Sequence, residues 1–195
     1  FIFGVGARRR VGFYARNMMA RRVLVVSDDG VIHAGWLKDV ETDLREAGID
    51  FVVFKGLSPN PKDHEVMAGA ALYAREHCDV IVALGGGSVI DCAKAIGVVH
   101  TNGCSVLRFE GVDQIEVPGP PLICIPTTAG TAADTSQFCI IVNSAERYKM
   151  AIISKTVVPD VALVDPETTL SMDPYLTACT GMDTLTHAIE AYVST

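Results

Sequence analysis

Residues 80–94 read Val80-Ile-Val-Ala-Leu-Gly-Gly-Gly-Ser-Val-Ile-Asp-Cys-Ala-Lys94. The apolar, β-branched start predicts a buried strand, and three glycines then lead to Ser88, which can cap a helix beginning near Val89. Glycine lets a backbone come close to a pyrophosphate, and a helix N-terminus offers free N–H groups to an anion. The pattern is typical of a phosphate-binding loop or of a tight strand-to-helix turn. Asp91 and Lys94 follow in helical register, so we favour the first interpretation.

Short apolar runs rich in β-branched residues recur along the chain, at residues 23–27, 51–54, 80–84, 122–126, 138–142 and 161–165, with 148–153 as a further candidate. Helical periodicity fills residues 33–47 and 63–77. The first strands start about 28 residues apart, close to the ~30 residues of a strand–helix unit. Continuous apolar strands alternating with helices predict an α/β fold, with a parallel sheet covered on both faces.

The pattern changes after Asp165-Pro166. Ser171-Met-Asp-Pro174 predicts a helix start with proline in the first turn, and residues 175–193 have a helical pattern. We therefore predict a domain boundary near residue 166. Residues 1–165 would form the α/β domain, and residues 166–195 would form the first helices of a truncated, all-helical domain. The chain opens at Phe1 without a methionine, so we expect its natural N-terminus to be missing.

Composition argues against several classes of binding partner and indicates the cellular compartment. A formal net charge of −7 argues against nucleic acid and anionic membranes as partners, because both bind clustered Lys and Arg. The short basic run at residues 8–10 is interpreted as a solvated helix start. No apolar run approaches the ~20 residues of a membrane span. The cysteines form no Cys-x-x-Cys pair, and four lie in or beside apolar runs, which predicts reduced core thiols and a cytoplasmic protein: Cys78, Cys92, Cys124 and Cys139.

Two further loops are candidates for a nucleotide site. In Ser27-Asp-Asp-Gly30, a carboxylate at a strand end can bind a ribose diol and repel a 2′-phosphate, which favours NAD over NADP. A polar turn would have the same sequence. The stretch Ile125-Pro-Thr-Thr-Ala-Gly-Thr131 can line a cleft at the carboxyl edge of the sheet, or form a turn held by hydroxyl-to-backbone hydrogen bonds.

Asp183 and His187 are the candidate metal ligands. A spacing of four places both side chains on one face of a helix, where they could share a cation. Taken alone, Asp183 could equally favour a first helical turn, and His187 could be a core histidine.

Four ordered motifs together resemble the iron-containing (group III) alcohol dehydrogenases. They are Gly85-Gly-Gly-Ser-x-x-Asp-x-Ala-Lys94, Pro126-Thr-Thr-Ala-Gly-Thr131, Val164-Asp-Pro166 and Gly181-Met-Asp-x-Leu-Thr-His-Ala-Ile-Glu190. Phe3-Gly-x-Gly6 is similar to the opening strand and turn of that family. The order and the spacing of the motifs match as well, over essentially the whole chain.

The resemblance implies an N-terminal domain that binds NAD, a C-terminal all-helical domain, and an active site in the cleft between them. Carried over by motif, eight residues would meet NAD. They are Asp28 at the adenosine ribose, Gly86, Gly87 and Ser88 at the pyrophosphate, Asp91 toward the nicotinamide, Thr127 and Thr128 beside the nucleotide, and Lys149 from a later strand.

The resemblance also implies a metal and a reaction. Asp183 and His187 would be two of four ligands to Fe(II) or Zn(II), with two histidines supplied from beyond residue 195. The implied reaction is hydride transfer between NAD and a small primary alcohol or aldehyde. Alternatives are a glycerol-dehydrogenase-like enzyme of the same superfamily, or a fragment that binds nucleotide without turnover. A homo-oligomer is left open.

The chain departs from the family in one loop. Many members read Ala-Gly-Thr-Gly-Ser-Glu where this chain has Ala129-Gly-Thr-Ala-Ala-Asp134. The change removes a glycine and a hydroxyl, so the contacts expected from residues 132–134 are in question.

Overall fold

The computed structural model of the chain describes residues 1–130 and 132–194. Thr131, the last residue of the threonine loop, and Thr195 lie outside the described residues. The strands are β1 (Ile2–Phe3), β2 (Arg22–Ser27), β3 (Asp50–Phe54), β4 (Val80–Gly85), β5 (Gly111–Val112), β6 (Leu122–Pro126), β7 (Phe138–Asn143), β8 (Tyr148–Ile153) and β9 (Val161–Val164). The α-helices are α1 (Val11–Asn17), α2 (Asp29–His33), α3 (Trp36–Glu46), α4 (Asp63–Arg75), α5 (Gly87–Asn102) and α6 (Pro174–Val193).

Six strands form one parallel sheet in the order β1-β9-β6-β4-β2-β3. Strands β2 and β4 are buried along almost their whole length, which explains their uninterrupted apolar sequences. The predicted α/β fold with a parallel sheet is confirmed, and the predicted strands are present with end shifts of a residue or so.

Alternate residues of the strands build two cores, one on each face of the sheet. Leu24 and Ile81 point to the side covered by α4 and α5. Val25 and Val82 point to the opposite side, which is covered by α1 and α3. Because the side-chain period of a strand is two residues, one strand supplies both cores. The prediction that helices cover both faces is therefore confirmed.

A second, small sheet lies against α5. Strands β7 and β8 form an antiparallel hairpin, and β5 adds to β8 in parallel. The thiol of Cys139 in β7 donates to the backbone carbonyl of Asp91 in α5 over 3.1 Å. Four cysteines predicted to be core thiols are buried and free, namely Cys78, Cys92, Cys124 and Cys139.

The helical stretch predicted around residues 33–47 is confirmed as α3, with a start three residues later. The chain forms α2 over Asp29–His33 and α3 over Trp36–Glu46. Gly35 separates them with φ of 89°, a left-handed conformation that an L side chain rarely adopts. The sequence did not predict α2, which precedes this stretch.

The interpretation of residues 8–10 as a solvated helix start is wrong for Arg8. Its side chain is only 4% exposed, and its Nη1 donates to Asp165 Oδ2 over 2.6 Å and to Glu167 Oε2 over 2.7 Å. Its Nε donates to Asp39 Oδ2 over 2.8 Å. A buried guanidinium requires such partners, and they come from residues far away in the sequence. Arg8 thereby fixes the segment that leads from β9 toward α6.

The last helix begins where the sequence predicts. Asp173 Oδ1 accepts the N–H of Leu176 over 2.9 Å, and Pro174 occupies the first helical position. All described residues of α6 keep some exposure, including the large apolar side chains of Leu185 and Ile189. The division into domains at residue 166 stays a prediction. Within the described part of the chain, no helix combines the length and apolarity required to cross a membrane.

Candidate functional site

The candidate site lies where the strand order of the main sheet reverses. From β2 the chain moves outward to β3 and then returns on the other side of β2 as β4. Strand β2 leads into α2 and α3 on one face of the sheet, and β4 leads into α5 on the other face. The crevice between two such connections is the usual ligand position in parallel sheets. Ser27 Oγ donates to the carbonyl of Leu84 over 2.9 Å and so holds the two strand ends together.

The glycine loop runs from the end of β4 into α5. Gly86 is the N-cap residue, with φ of −77° and ψ of −172°, and the helix starts at Gly87. The prediction that Ser88 caps a helix beginning near Val89 is therefore wrong, since Ser88 already lies inside the first turn. Within residues 1–130 and 132–194, the N–H groups of Gly87 and Ser88 have no acceptor. They remain available to an anion.

The threonine loop lies beside the glycine loop. Thr127 is buried, and its N–H donates to the carbonyl of Gly85 over 3.0 Å. A Cβ atom added to Gly86 would lie 3.1 Å from Thr128 Cγ2 and 3.3 Å from Thr128 Oγ1. A side chain at Gly86 would therefore press against Thr128 and force the two loops apart. This cradle, which has no side chain at Gly86 and lies beside free N–H groups, fits a pyrophosphate.

Asp28 lies at the carboxyl end of β2, next to the glycine loop. Its Oδ1 accepts the N–H of Val31 over 2.9 Å, so the side chain caps α2. This contact occupies one carboxylate oxygen, and the chain at this point is only half-buried. Capping is compatible with a ribose contact through the other oxygen, and the ribose role stays a prediction.

Asp91 and Lys94 join α5 to the small sheet. Asp91 Oδ2 accepts the N–H of Ile140 over 3.1 Å. Lys94 Nζ donates to the carbonyls of Ser136 and Phe138 over 2.9 Å and 2.8 Å. Burial raises the pKa of Asp91 to about 6, against the attraction of Lys94 and the hydrogen bond from Ile140. Burial likewise lowers the pKa of Lys94. Lys94, which is 2% exposed, therefore has a structural role in the loop before β7.

The loop of residues 132–134, where the chain departs from the family motif, forms a turn. Ala132 has φ of 52°, a left-handed conformation that an L side chain rarely adopts. Its carbonyl accepts the N–H groups of Thr135 and Ser136 over 3.0 Å and 3.2 Å. Ala133 and Asp134 are both buried, and burial raises the pKa of Asp134. Ala132 therefore places a side chain at a strained position of this turn.

Lys149 lies further from the loops than the other candidates. It is exposed on β8 and faces Val142 across the hairpin. The N–H of Val142 donates to Pro61 O over 2.8 Å, and the N–H of Asn60 donates to Ser88 Oγ over 3.2 Å. This end of the hairpin is thus connected to the start of α5 through residues 60–61.

Asp183 and His187 meet on one face of α6, as their spacing predicts. Asp183 Oδ1 lies 3.7 Å from His187 Nε2, and Glu190 Oε2 lies 3.7 Å from His187 Nδ1. Two ligands about 2.1 Å from a metal at the tetrahedral angle are about 3.4 Å apart, so the pair fits a shared cation. In the described residues, no three His, Cys, Asp or Glu side chains converge as a metal group. The pair would therefore supply half of a metal site.

The threonine loop also contacts α6. Thr184 Oγ1 lies 3.3 Å from the carbonyl oxygen of Gly130, to which it donates. A Cβ atom added to Gly130 would lie 3.2 Å from Thr180 Cβ, so the loop approaches the helix closely. Thr184 directly follows Asp183 in the sequence. One loop thus contacts both the glycine cradle and the helix that carries the candidate metal ligands.

Sequence reasoning missed several residues of this arrangement. Asn60 contacts Ser88, and its φ of 57° places it in a tight turn. Its position between Pro59 and Pro61 is a turn signal that could have drawn attention to the loop after β3. No comparable sequence signal marks Thr184, because threonine at that position has the pattern of an ordinary helix residue.

Comparisons with known proteins show which proteins this chain is similar to. The sequence model of the family described as iron-containing alcohol dehydrogenase matches residues 1–166. The NAD-dependent methanol dehydrogenase of Bacillus methanolicus is 40% identical over 193 residues, which cover 99% of this chain and 51% of that protein. The 1,3-propanediol dehydrogenase of Citrobacter freundii is 42% identical over 194 residues, covering 98% of this chain and 50% of that protein.

The likeness extends to three dimensions. A crystal structure of a 1,3-propanediol oxidoreductase matches with a TM-score of 0.95 at 39% identity, over 98% of this chain and 50% of that one. The chain spans about half the length of the relatives it matches. Because the family model covers most of the chain and the relatives carry the same fold, the chain belongs to the iron-containing alcohol dehydrogenase family.

Proposed function

We propose that this chain is the nucleotide-binding part of a metal-dependent oxidoreductase, cytoplasmic in location, that transfers a hydride between NAD and a small primary alcohol or aldehyde. The single observation that carries the proposal is the arrangement of three motifs. The glycine cradle at Gly86, the loop at residues 127–130 and the Asp183–His187 face of α6 lie in one continuous series of contacts.

Different residues of the chain would bind different parts of NAD. The N–H groups of Gly87 and Ser88 would hold the pyrophosphate, and Thr128 would close the cradle from the other side. Asp28 would accept from the adenosine ribose and disfavour a 2′-phosphate through its charge. NAD would supply the hydride acceptor, and the protein would hold its reactive carbon in line with the substrate.

Three other candidates would complete the nucleotide site. Asp91, with its raised pKa, would lie toward the nicotinamide end, where a half-buried carboxyl can accept or hold a proton near neutral pH. Thr127 would shape the floor of the cleft through its backbone bond to β4. Lys149, on the β7–β8 hairpin, would place its positive charge near the phosphates of NAD.

Asp183 and His187 would hold a divalent cation, Fe(II) or Zn(II), which suits a carboxylate with an imidazole. When bound, such an ion supplies Lewis acidity toward an alcohol oxygen. Named relatives act on methanol and 1,3-propanediol, which favours a short alcohol as substrate. A glycerol-dehydrogenase-like activity and nucleotide binding without turnover are the alternatives that the experiment has to separate.

The test uses the full-length gene product beside the 195-residue chain. We expect the full-length protein to oxidise a short alcohol with NAD in the presence of Fe(II) or Zn(II). His187→Ala should remove bound metal, measured by elemental analysis, while the protein still binds NAD. His64→Ala is the matched control, because that histidine is exposed on α4 and far from α6 in sequence. Full metal occupancy in His187→Ala would refute the metal assignment, and glycerol as the sole substrate would favour the alternative enzyme.

A further inference from the structure

We infer that the loop at residues 127–130 couples nucleotide binding to the position of α6, and that Thr184 is the positioning residue that makes this coupling. The inference rests on the proposed function for the nucleotide and metal sites. It adds a link between them that neither the glycine motif nor the metal-ligand pair contains.

On the nucleotide side, the loop cannot move independently of the glycine cradle. The N–H of Thr127 donates to the carbonyl of Gly85 over 3.0 Å, so the start of the loop is fixed to β4. Thr128 lies one step further and packs against Gly86, within 3.1–3.3 Å of where a Cβ atom would be. A pyrophosphate bound at Gly86 would therefore contact or displace Thr128, and the effect would pass along the loop to Gly130.

On the helix side, the loop is joined to α6 by two contacts. Gly130 packs against Thr180 closely enough that an added Cβ atom would require a shift of the helix or the loop. The hydroxyl of Thr184 lies within hydrogen-bond reach of two carbonyls, that of Gly130 at 3.3 Å and that of Thr180 at 2.9 Å. Its single proton is thus shared between the loop and the preceding turn of its own helix.

Thr184 is also the side chain through which α6 is held to the loop. Among the hydrogen bonds of residues 1–130 and 132–194, the bond to Gly130 is the one that joins a side chain of α6 to another element. Asp183 precedes Thr184 directly, and His187 follows three residues later. Since a helix moves as a unit, a displacement of Gly130 would shift both candidate metal ligands together.

Coupling of this kind is reciprocal. If NAD orders the loop and the loop steadies α6, then a cation on α6 raises the affinity for NAD by the same factor. The contribution of one neutral hydrogen bond to such coupling is about threefold to tenfold. A change of that size is measurable without any turnover.

The experiment measures hydrogen exchange in α6 of the 195-residue chain with and without saturating NAD, after a calorimetric check that NAD binds. We expect NAD to slow exchange around residues 180–187 by about threefold or more in the unaltered protein. Thr184→Val keeps the shape of the side chain and removes the hydroxyl, so it should abolish this slowing, measured at NAD concentrations that still saturate the variant. Thr184→Ser keeps the hydroxyl and should preserve the slowing.

Thr186→Val is the matched control. Thr186 is the same residue type in the same helix, and its hydroxyl bonds the carbonyl of Met182 over 2.9 Å without touching the loop. Equal slowing in Thr184→Val and Thr186→Val would overturn the inference, as would NAD binding that leaves α6 exchange unchanged in the unaltered chain. Failure of NAD to bind at all would instead refute the proposed nucleotide site, and the coupling with it.

Discussion

The N–H of Thr127 donates to the carbonyl oxygen of Gly85 over 3.0 Å. This one backbone bond joins the carboxyl ends of β6 and β4, from which the two loops of the candidate nucleotide site emerge. The relative position of the loops is thus fixed by backbone atoms. Side-chain substitutions in the loops can therefore be interpreted as changes in ligand contacts, provided that the fold is checked alongside.

We expect Asp28→Asn to relax the preference for NAD over NADP. The amide keeps an oxygen that can accept from Val31, so α2 stays capped, while the charge that repels a 2′-phosphate is lost. A loss of about 1 kcal/mol of discrimination corresponds to a change of about fivefold in the ratio of dissociation constants. Calorimetric titration with NAD and NADP gives this ratio directly.

Asp28→Ala separates the two roles of this carboxylate. It should relax cofactor preference as Asp28→Asn does, and should also destabilise the protein by about 1 kcal/mol through loss of the cap. Asp173→Ala, which removes the cap of α6, is the control for cap loss away from the nucleotide. An unchanged NAD to NADP ratio in Asp28→Asn would remove Asp28 from the site.

Asp91 gives the protein a defined pH dependence. Burial raises the pKa of Asp91 to about 6 in the folded chain, above its value of about 3.9 in an unfolded chain. Between these values the unfolded state has lost the proton and the folded state retains it. Stability from this group is therefore present below pH ~4 and is lost as the pH rises toward ~6.

Asp91→Asn should flatten that decline, because the amide has no proton to lose and can still accept from Ile140. Urea unfolding of both proteins at several pH values between 4 and 7 gives a difference curve that isolates Asp91 from other carboxyls. We expect the difference to change by about 1–2 kcal/mol in favour of Asp91→Asn across this window. A flat difference curve would show that Asp91 is ionised in the folded protein with an ordinary pKa.

Arg8 is expected to be among the most sensitive residues outside the site. Burial alone would raise the pKa of Asp165. The hydrogen bonds that its carboxylate accepts from Arg8 and from the backbone N–H of Glu167 hold that pKa below its usual value. Arg8→Ala leaves the fully buried carboxylate of Asp165 without its partner and should cost about 3 kcal/mol of stability. Arg9→Ala, at an exposed position, should change stability by less than about 0.5 kcal/mol in the same thermal or urea unfolding experiment. Equal effects would contradict the buried network.

Local sequence patterns predict most of the fold. Apolar runs such as residues 80–84 specify strands because both faces of a parallel sheet are buried, and Asp173-Pro174 specifies a helix start because the cap and the proline act on adjacent residues. The short helix α2 before Gly35 was not predicted, because five residues are too few to show a helical period.

Long-range contacts could not be predicted in the same way. The three carboxylate partners of Arg8 come from positions 39, 165 and 167, and no feature of the basic run indicates them. The contact of Thr184 with Gly130 likewise depends on how α6 approaches the sheet. Motif order predicted that the glycine loop, the threonine loop and the Asp183–His187 pair belong to one site, but only the tertiary structure gives the contacts that join them.

The central claim is that the cradle at Gly86 binds the pyrophosphate of NAD, and calorimetric titration of the chain with NAD tests it most directly. We predict binding at one site, competition by ADP-ribose, and a loss of affinity of at least about tenfold in Gly86→Ala, whose Cβ would fill the cradle beside Thr128. Gly181→Ala, where an added Cβ meets nothing within 4 Å, should bind as the unaltered chain does. Absence of binding in the unaltered chain, or equal affinity in Gly86→Ala with an intact fold, would contradict the account.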